Sequence, residues 1–394
     1  MGNNNRKKGE RIYLDCASGT PVDARVLKAM MPYLGDKFAN PSALYVEGVE
    51  AKIAIEKSRE KVARTIGCRA EEIIFTSGGT ESDNLAILGV FDFFKKSKTR
   101  SPHIITSVIE HPAILEVCRE LERRGGRVTY LPVDSLGHIS LEKLKKAITK
   151  DTCLVTLAYA NSEIGTVNPI RKISAIVKNN RTQKNSAYPF LHIDAGQTPL
   201  FFSMRPNDIG VDLLTLDGAK IYGPKGGGAL FARRTVPLLP IIFGGAQESG
   251  RRAGTENVPA IVGFAEALRL AIADQKKESK RLFALRDYFI KNILSAVPGS
   301  ILNGDSEDRL PNNSNFYFPG ISGEFALIKL DTFGIACSSA ASCRTLTNES
   351  YSYVIEALGK RNCAESSLRF TFGKDTTKKD VDQAVEILRE AVGK

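Results

Sequence analysis

The chain has little that would anchor, cross-link or metallate it. No apolar run reaches the roughly 20 residues that a membrane-spanning helix needs. The opening Met1-Gly-Asn-Asn-Asn-Arg-Lys-Lys-Gly-Glu10 has no apolar core of the kind a secretory signal carries, so the expectation is a cytoplasmic protein with no membrane partner. Myristoylation of Gly2 would want Ser or Thr at position 6, where Arg6 stands. Histidines number 4, too few to suggest a metal cluster. The 7 cysteines are odd in number, widely spread and form no Cys-x-x-Cys pair, which argues against a disulfide framework or a structural zinc site. Most read as small buried hydrophobes, as does Cys153 in the strand-like Thr152-Cys-Leu-Val-Thr-Leu157. The net charge of +11 comes from scattered Lys and Arg with no basic–aromatic stripe. It reads as solubility and argues against direct nucleic-acid binding. Repeats and low-complexity blocks are also missing.

What is present is alternation. Short β-branched or aromatic runs at 72–76, 103–106, 127–131, 153–158, 190–193 and 213–216 are interleaved with helix-period segments such as 81–96 and 141–150. This implies an α/β fold, a mainly parallel sheet with helices on both faces and ligands at the carboxyl ends of the strands. At 394 residues the chain outgrows a single core. The expected division is a large domain over 17–259 and a smaller α+β domain made of 1–16 and 260–394, entered through a long helix over 260–297. The polar run at 178–187 reads as a surface insertion.

Four segments carry chemistry. Lys220, in Leu213-Leu-Thr-Leu-Asp-Gly-Ala-Lys-Ile-Tyr-Gly-Pro-Lys-Gly226, follows an apolar run that ends in Asp194-Ala-Gly-Gln197. A lysine amine can hold an aldehyde cofactor as a Schiff base, while a carboxylate at a strand end keeps a pyridine nitrogen protonated. Either residue alone is more often a surface charge or a turn cap. In Phe75-Thr-Ser-Gly-Gly-Thr80-Glu-Ser-Asp-Asn84, Gly78 and Gly79 allow a tight strand-to-helix turn whose N–H groups, with the Thr80 hydroxyl, can cradle a phosphate. It matches neither a Walker loop nor the dinucleotide fingerprint, and a bland helix cap would use the same residues. His111, just beyond the 103–106 strand, can stack on a ring and move protons near neutral pH, or simply cap a turn.

The last segment runs from Phe333 to Ser350, where small residues surround Cys343 and Arg344 follows. A thiol there can be made a thiolate and reach a substrate atom, or be inert; Cys337, among apolar neighbours, reads as strand burial. Arg369, within the strand pattern Glu365-Ser-Ser-Leu-Arg369-Phe-Thr-Phe-Gly373, offers a bidentate grip on an α-carboxylate.

In this order the segments resemble the cysteine desulfurases of the class V aminotransferase group, within pyridoxal-phosphate fold type I. The resemblance runs through Ile12-Tyr-Leu-Asp15, Thr20-Pro-Val-Asp23, Thr76 to Asn84, Glu110-His111, Asn161-Ser-Glu-Ile-Gly165, Asp194 to Gln197, Lys220 to Gly226, Arg252-Ala-Gly-Thr255 and Ser366-Ser-Leu-Arg369. It implies a seven-stranded sheet and a homodimer whose active site lies at the interface. Lys220 would hold the pyridoxal 5'-phosphate and His111 would stack on it. Asp194 would face the ring nitrogen and Gln197 the ring oxygen. Gly79, Thr80 and, from the other subunit, Thr255 would take the phosphate. Cys343 would receive the sulfur of L-cysteine as a persulfide, leaving alanine, and Arg369 would hold the substrate carboxylate. Cys343 and Arg369 lie 26 positions apart, the spacing of the long-loop subgroup that hands sulfur to acceptor proteins, either iron–sulfur scaffolds or tRNA-thiolation enzymes.

Three departures qualify the resemblance. Where the family usually has Ser-x-His-Lys, this chain has Asp217-Gly218-Ala219-Lys220. An added carboxylate about 4 Å from a phosphate charge costs about 1 kcal/mol at water's dielectric and about 4 kcal/mol at an effective dielectric near 20. That implies weaker cofactor binding, unless Asp217 turns to Lys225 or another cation. Ser162 stands where an asparagine is common beside cofactor and substrate, and its shorter hydroxyl would reach them through a water. The sequence stops at Gly393-Lys394 without the extension some relatives use to dock a scaffold, which favours tRNA thiolation or another contact. A selenocysteine lyase, another class V enzyme and an impaired scaffold remain as alternatives.

Overall fold

The computed structural model describes residues 11–97, 101–339 and 351–392. One sheet holds β1 (Ile73–Thr76), β2 (His103–Ser107), β3 (Arg127–Leu131), β4 (Thr152–Ala158), β5 (Phe190–Asp194), β6 (Leu213–Asp217) and β7 (Gly228–Ala232). Their order across the sheet is β1-β7-β6-β5-β4-β2-β3. Every neighbouring pair is parallel except the two made by β7, which runs antiparallel to β1 and β6.

Alternation along the strands divides the side chains between two faces. Leu154, Phe190 and Leu213 point to one face, while Val155, Leu191 and Leu214 point to the other. The first face is covered by α2 (Gly79–Ser97) and α3 (Pro112–Arg123), which bury Leu85, Phe91, Ile114 and Leu121 against it. The second is covered by α1 (Val46–Ile66), by α4 (Ile170–Lys184) and by the first half of α5 (Val258–Ala296).

The second half of α5 enters a separate core. Phe289 meets Phe316, Phe370 and Phe372 with ring centroids 5.9, 5.4 and 5.3 Å apart. Two of those rings belong to a four-stranded antiparallel sheet of β8 (Ile301–Leu302), β9 (Asn313–Tyr317), β10 (Ser338–Ser339) and β11 (Ser367–Thr371), in the order β10-β11-β9-β8. Near the start of the described chain, Ile12–Tyr13 pairs in parallel with Ile335–Ala336.

The polar run at 178–187 is not an inserted loop. Its first part is the C-terminal half of α4, which buries Ile173 and Val177 and ends where Asn185 takes the left-handed conformation at φ 46°. Asparagine tolerates that conformation better than most residues. Arg181 fixes the end of the helix by donating to the Pro189 carbonyl at 2.6 Å and to the Asp212 carboxylate. Composition alone concealed a helix whose buried face lies earlier in the sequence.

Candidate functional site

The carboxyl ends of β4, β5 and β6 open into a cavity of ≈ 290 Å³. Gly79, Thr80, His111, Ser162, Asp194, Gln197, Asp217, Lys220 and Arg369 all line it, although Gly79 and Arg369 are 290 positions apart in the sequence.

Strand register explains the acidic pair. Ala158 of β4 is aligned with Asp194 of β5, and Asp194 with Thr215 of β6, so Asp217 lies two residues further along and on the same face as Thr215. Asp194 accepts from the Gly196 N–H at 2.8 Å. Burial raises its pKa, while that N–H and the charges of His111 and Lys220 oppose the rise. Behind it, Asp83 of α2 is buried, its pKa is raised by burial and by Asp194, and its Oδ1 accepts no hydrogen bond from the described residues, with His192 Nε2 3.7 Å away.

Lys220 follows β6 in a short 3-10 turn and donates to the Ser18 carbonyl at 2.5 Å. Its amine thus starts on the loop that closes the cavity. His111 caps α3, with Nδ1 accepting the Ala113 N–H at 3.1 Å. That bond places the ring proton on Nε2. The ring is open to solvent through the cavity but closely surrounded by protein elsewhere. Burial lowers its pKa, as do Lys220 and Arg369, against Asp194 and Asp217. At pH 7 it is therefore the neutral imidazole.

Arg369 comes from the second core, on β11 opposite Ser338 and Asn315. Its guanidinium donates to Asp15 at 2.8 Å, to the Ser18 hydroxyl at 2.7 Å and to the Ser162 carbonyl at 3.2 Å. Nε is buried and has no partner among the described residues. Gln197 donates to the Ala17 carbonyl at 3.0 Å. At the far end of the cavity the first turn of α2 presents its N–H groups beside Thr80, with the Ser77 N–H capped by Glu81 at 2.9 Å.

Over residues 12–384 the chain matches the profile of the aminotransferase class-V family. It is 44% identical to cysteine desulfurase IscS of Dictyoglomus turgidum over 384 residues, 97% of this chain and 95% of that protein. It is 42% identical to cysteine desulfurase IscS of Methanosarcina thermophila over 394 residues, 100% of this chain and 95% of that protein. Among solved structures, a NifS-like protein superposes with TM-score 0.89 at 35% identity, covering 97% of this chain and 99% of that one. SspA in complex with cysteine superposes with TM-score 0.77 at 33% identity, covering 92% and 98%. The chain belongs to the class V aminotransferases, in the cysteine desulfurase group.

Pyridoxal phosphate is the cofactor of such an enzyme, and the cavity suits it. It offers an amine, a carboxylate at a strand end, a neutral imidazole and a helix N-terminus at one end. Two selected residues stand apart. Thr255 is exposed on the loop after the Gln247–Gly250 turn and does not line the cavity. That loop is tied to the first turn of α2 by Arg252, which donates to Glu81 at 2.8 Å. Cys343 lies outside the described residues. Its described neighbours on either side, Ser339 and Tyr351, both line the cavity.

The cavity also holds residues the sequence reading passed over. Asp83 carried a signal, since it stands four positions after Gly79 and so on the same side of α2. Tyr351 and Tyr353 carried none; Tyr353 reaches the site through its hydroxyl, which donates to the Glu110 carbonyl at 2.7 Å.

Proposed function

We propose that the protein is a cysteine desulfurase that converts L-cysteine to L-alanine and keeps the sulfur as a persulfide on Cys343. The observation that carries this reading is the unpartnered, buried Nε of Arg369 in the cavity that also holds Lys220, Asp194 and His111. A buried donor left unsatisfied costs about 1–3 kcal/mol, and a substrate carboxylate would satisfy it.

Pyridoxal phosphate, when bound, supplies an aldehyde carbon and an electron-drawing ring. Lys220 is the residue to hold that aldehyde and afterwards to carry protons to and from the substrate at Nζ. Asp194 would keep the ring nitrogen protonated. Neutral His111 would cover the ring and relay a proton through Nε2, with Gln197 at the ring oxygen and Ser162 beside the substrate. Gly79, Thr80 and Asp217 surround the phosphate end.

The sulfur step balances without an outside oxidant. The Cys343 thiolate attacks the substrate sulfur and an S–S bond forms as the C–S bond breaks. The electron pair stays with the substrate carbon, which takes up a proton and leaves as alanine.

A second copy of the chain is the proposed partner. Leu34, Phe38, Leu44, Tyr45 and Val46 form an exposed apolar group around the start of α1, and Thr255 would act in the other copy's cavity. Sulfur would pass to an acceptor protein of iron–sulfur assembly or tRNA thiolation. We read the enzyme as cytoplasmic; among the described residues no helix is long and apolar enough to cross a membrane.

The test is alanine release from L-cysteine with pyridoxal phosphate and a reductant in excess. Release that is lost in Cys343→Ser and in Lys220→Ala is expected; alanine formation that survives both substitutions would overturn the reading.

A further inference from the structure

Asp217 occupies a position its sequence neighbours would not suggest. Gly228, the first residue of β7, pairs with Asp217 on one side and with Thr76 on the other. A Cβ at Gly228 would stand 2.7 Å from the Gly78 Cα and 2.8 Å from the Leu216 carbonyl oxygen. The missing side chain therefore lets the turn between β1 and α2 close over the end of β6. As a result Asp217 Oδ1 lies 3.7 Å from where a Cβ of Gly78 would be, and Oδ2 lies 3.3 Å from where one of Gly79 would be. Its carboxylate has not turned away to Lys225, which donates to the Thr20 carbonyl at 2.7 Å. Instead Oδ1 accepts the Ala219 N–H at 2.9 Å, which fixes the side chain over the first turn of α2. A fixed negative charge thus shares the cradle in which an anion would sit.

The other charges facing Asp217 do not cancel it. From α2 comes Asp83 and from β5 Asp194, both acidic; from the head of α3 comes His111. Lys220, in the turn that follows β6, and Arg369, which lines the same cavity, are cations to which the proposed chemistry already gives other tasks. Glu81 on the first turn of α2 is paired with Arg252.

We infer that Asp217 makes this site select the singly charged form of a phosphate ester, so that the protein holds its cofactor less tightly as pH rises through the second ionisation of phosphate. This rests on the proposed pyridoxal-phosphate enzyme. The second ionisation lies near 6. For charges about 4 Å apart, even water's screening leaves at least about a fivefold difference in affinity between the two phosphate forms.

The experiment measures the Kd of pyridoxal phosphate for the apoprotein by equilibrium dialysis at pH 5.5 and pH 8. Wild type is compared with Asp217→Asn and Asp217→Ser. Both variants keep an oxygen to accept the Ala219 N–H, so they remove the charge and not the cap. The ratio of wild-type to variant Kd should be at least about fivefold larger at pH 8 than at pH 5.5, because the monoanion is repelled once and the dianion twice. With pyridoxal, which has no phosphate, the ratio should lack that fivefold change. Titration of the groups whose pKa Asp217 biases, such as His111 and Asp194, acts on pyridoxal in the same way and is removed by that comparison. A ratio that does not change with pH, or one that changes equally for pyridoxal, would overturn the inference while leaving the proposed function standing. Failure of wild type and both variants to bind pyridoxal phosphate at all would overturn that function and the inference with it.

Discussion

Beneath the cavity, charge is set by what each carboxyl touches. Glu110 is wholly buried, accepting the Ser107 hydroxyl at 2.5 Å and the Ala158 N–H at 2.7 Å. Burial pushes its pKa from 4.5 up to about 8, further than those two donors pull it down. The folded state thus favours the protonated acid. This contribution to stability is complete below about pH 4.5 and is lost as pH rises through about 8. Glu110→Gln should therefore cost about 1 kcal/mol or less at pH 6, where wild type is itself neutral. Its melting temperature should fall less than that of wild type between pH 6 and pH 9. Thermal melts across that range check this, and parallel curves would contradict it. At this scale the sequence was legible where chemistry is local. Lys220, Asp194 and the Gly78–Thr80 turn each stand next to a strand end that the apolar pattern marks. Buried Glu110 and Glu163 were not legible as perturbed acids, because their surroundings come from distant segments, as with the Ser352 hydroxyl that donates to Glu163.

Secondary structure was legible where pattern and packing agree. The β-branched strands β2 and β4 announce themselves, whereas β7 is Gly-Ala-Leu-Phe-Ala after a glycine run and has little strand propensity of its own. It is a strand because β1 and β6 leave a gap between them that it fills with antiparallel pairing on both sides. The opposite conflict hid the end of α4, whose polar face dominates the composition. Its attachment is a testable consequence. Asp212 is nearly buried and accepts from Arg181 and from the Leu191 N–H at 2.8 Å. Removing Arg181 would leave that carboxylate short of a partner at the edge of β5. Arg181→Ala should cost about 3 kcal/mol, read as a lower urea midpoint at unchanged slope. Lys172→Ala, on the exposed side of the same helix, should stay within about 0.5 kcal/mol of wild type. Equal effects of the two would mean that the run is held by its helix alone.

Across the molecule one rod joins the two cores. α5 has 39 residues and, at 1.5 Å per residue, spans roughly 58 Å. It packs Phe264 and Leu268 against the large sheet and Phe289 and Ile293 against the small one. That is why Arg369, from the second core, can be held against Ser18 and Ser162 from the first. The described residues leave the apolar group around α1 uncovered: Phe38 is 81% and Leu44 96% exposed. Replacing Leu44 and Val46 together with Asp should separate the proposed dimer without touching the cavity of the same chain. Light scattering would then show the mass falling from twice 43.0 kDa to 43.0 kDa. If Thr255 completes the phosphate site of the other copy, the separated chain also loses one charge-assisted hydrogen bond to the cofactor. Such a bond is worth about 1.5–3 kcal/mol, so affinity for pyridoxal phosphate should fall about tenfold or more. Thr255→Ala in the intact dimer should reproduce that loss with the mass unchanged. A wild-type mass of 43.0 kDa, or full affinity in the separated chain, would exclude a shared site.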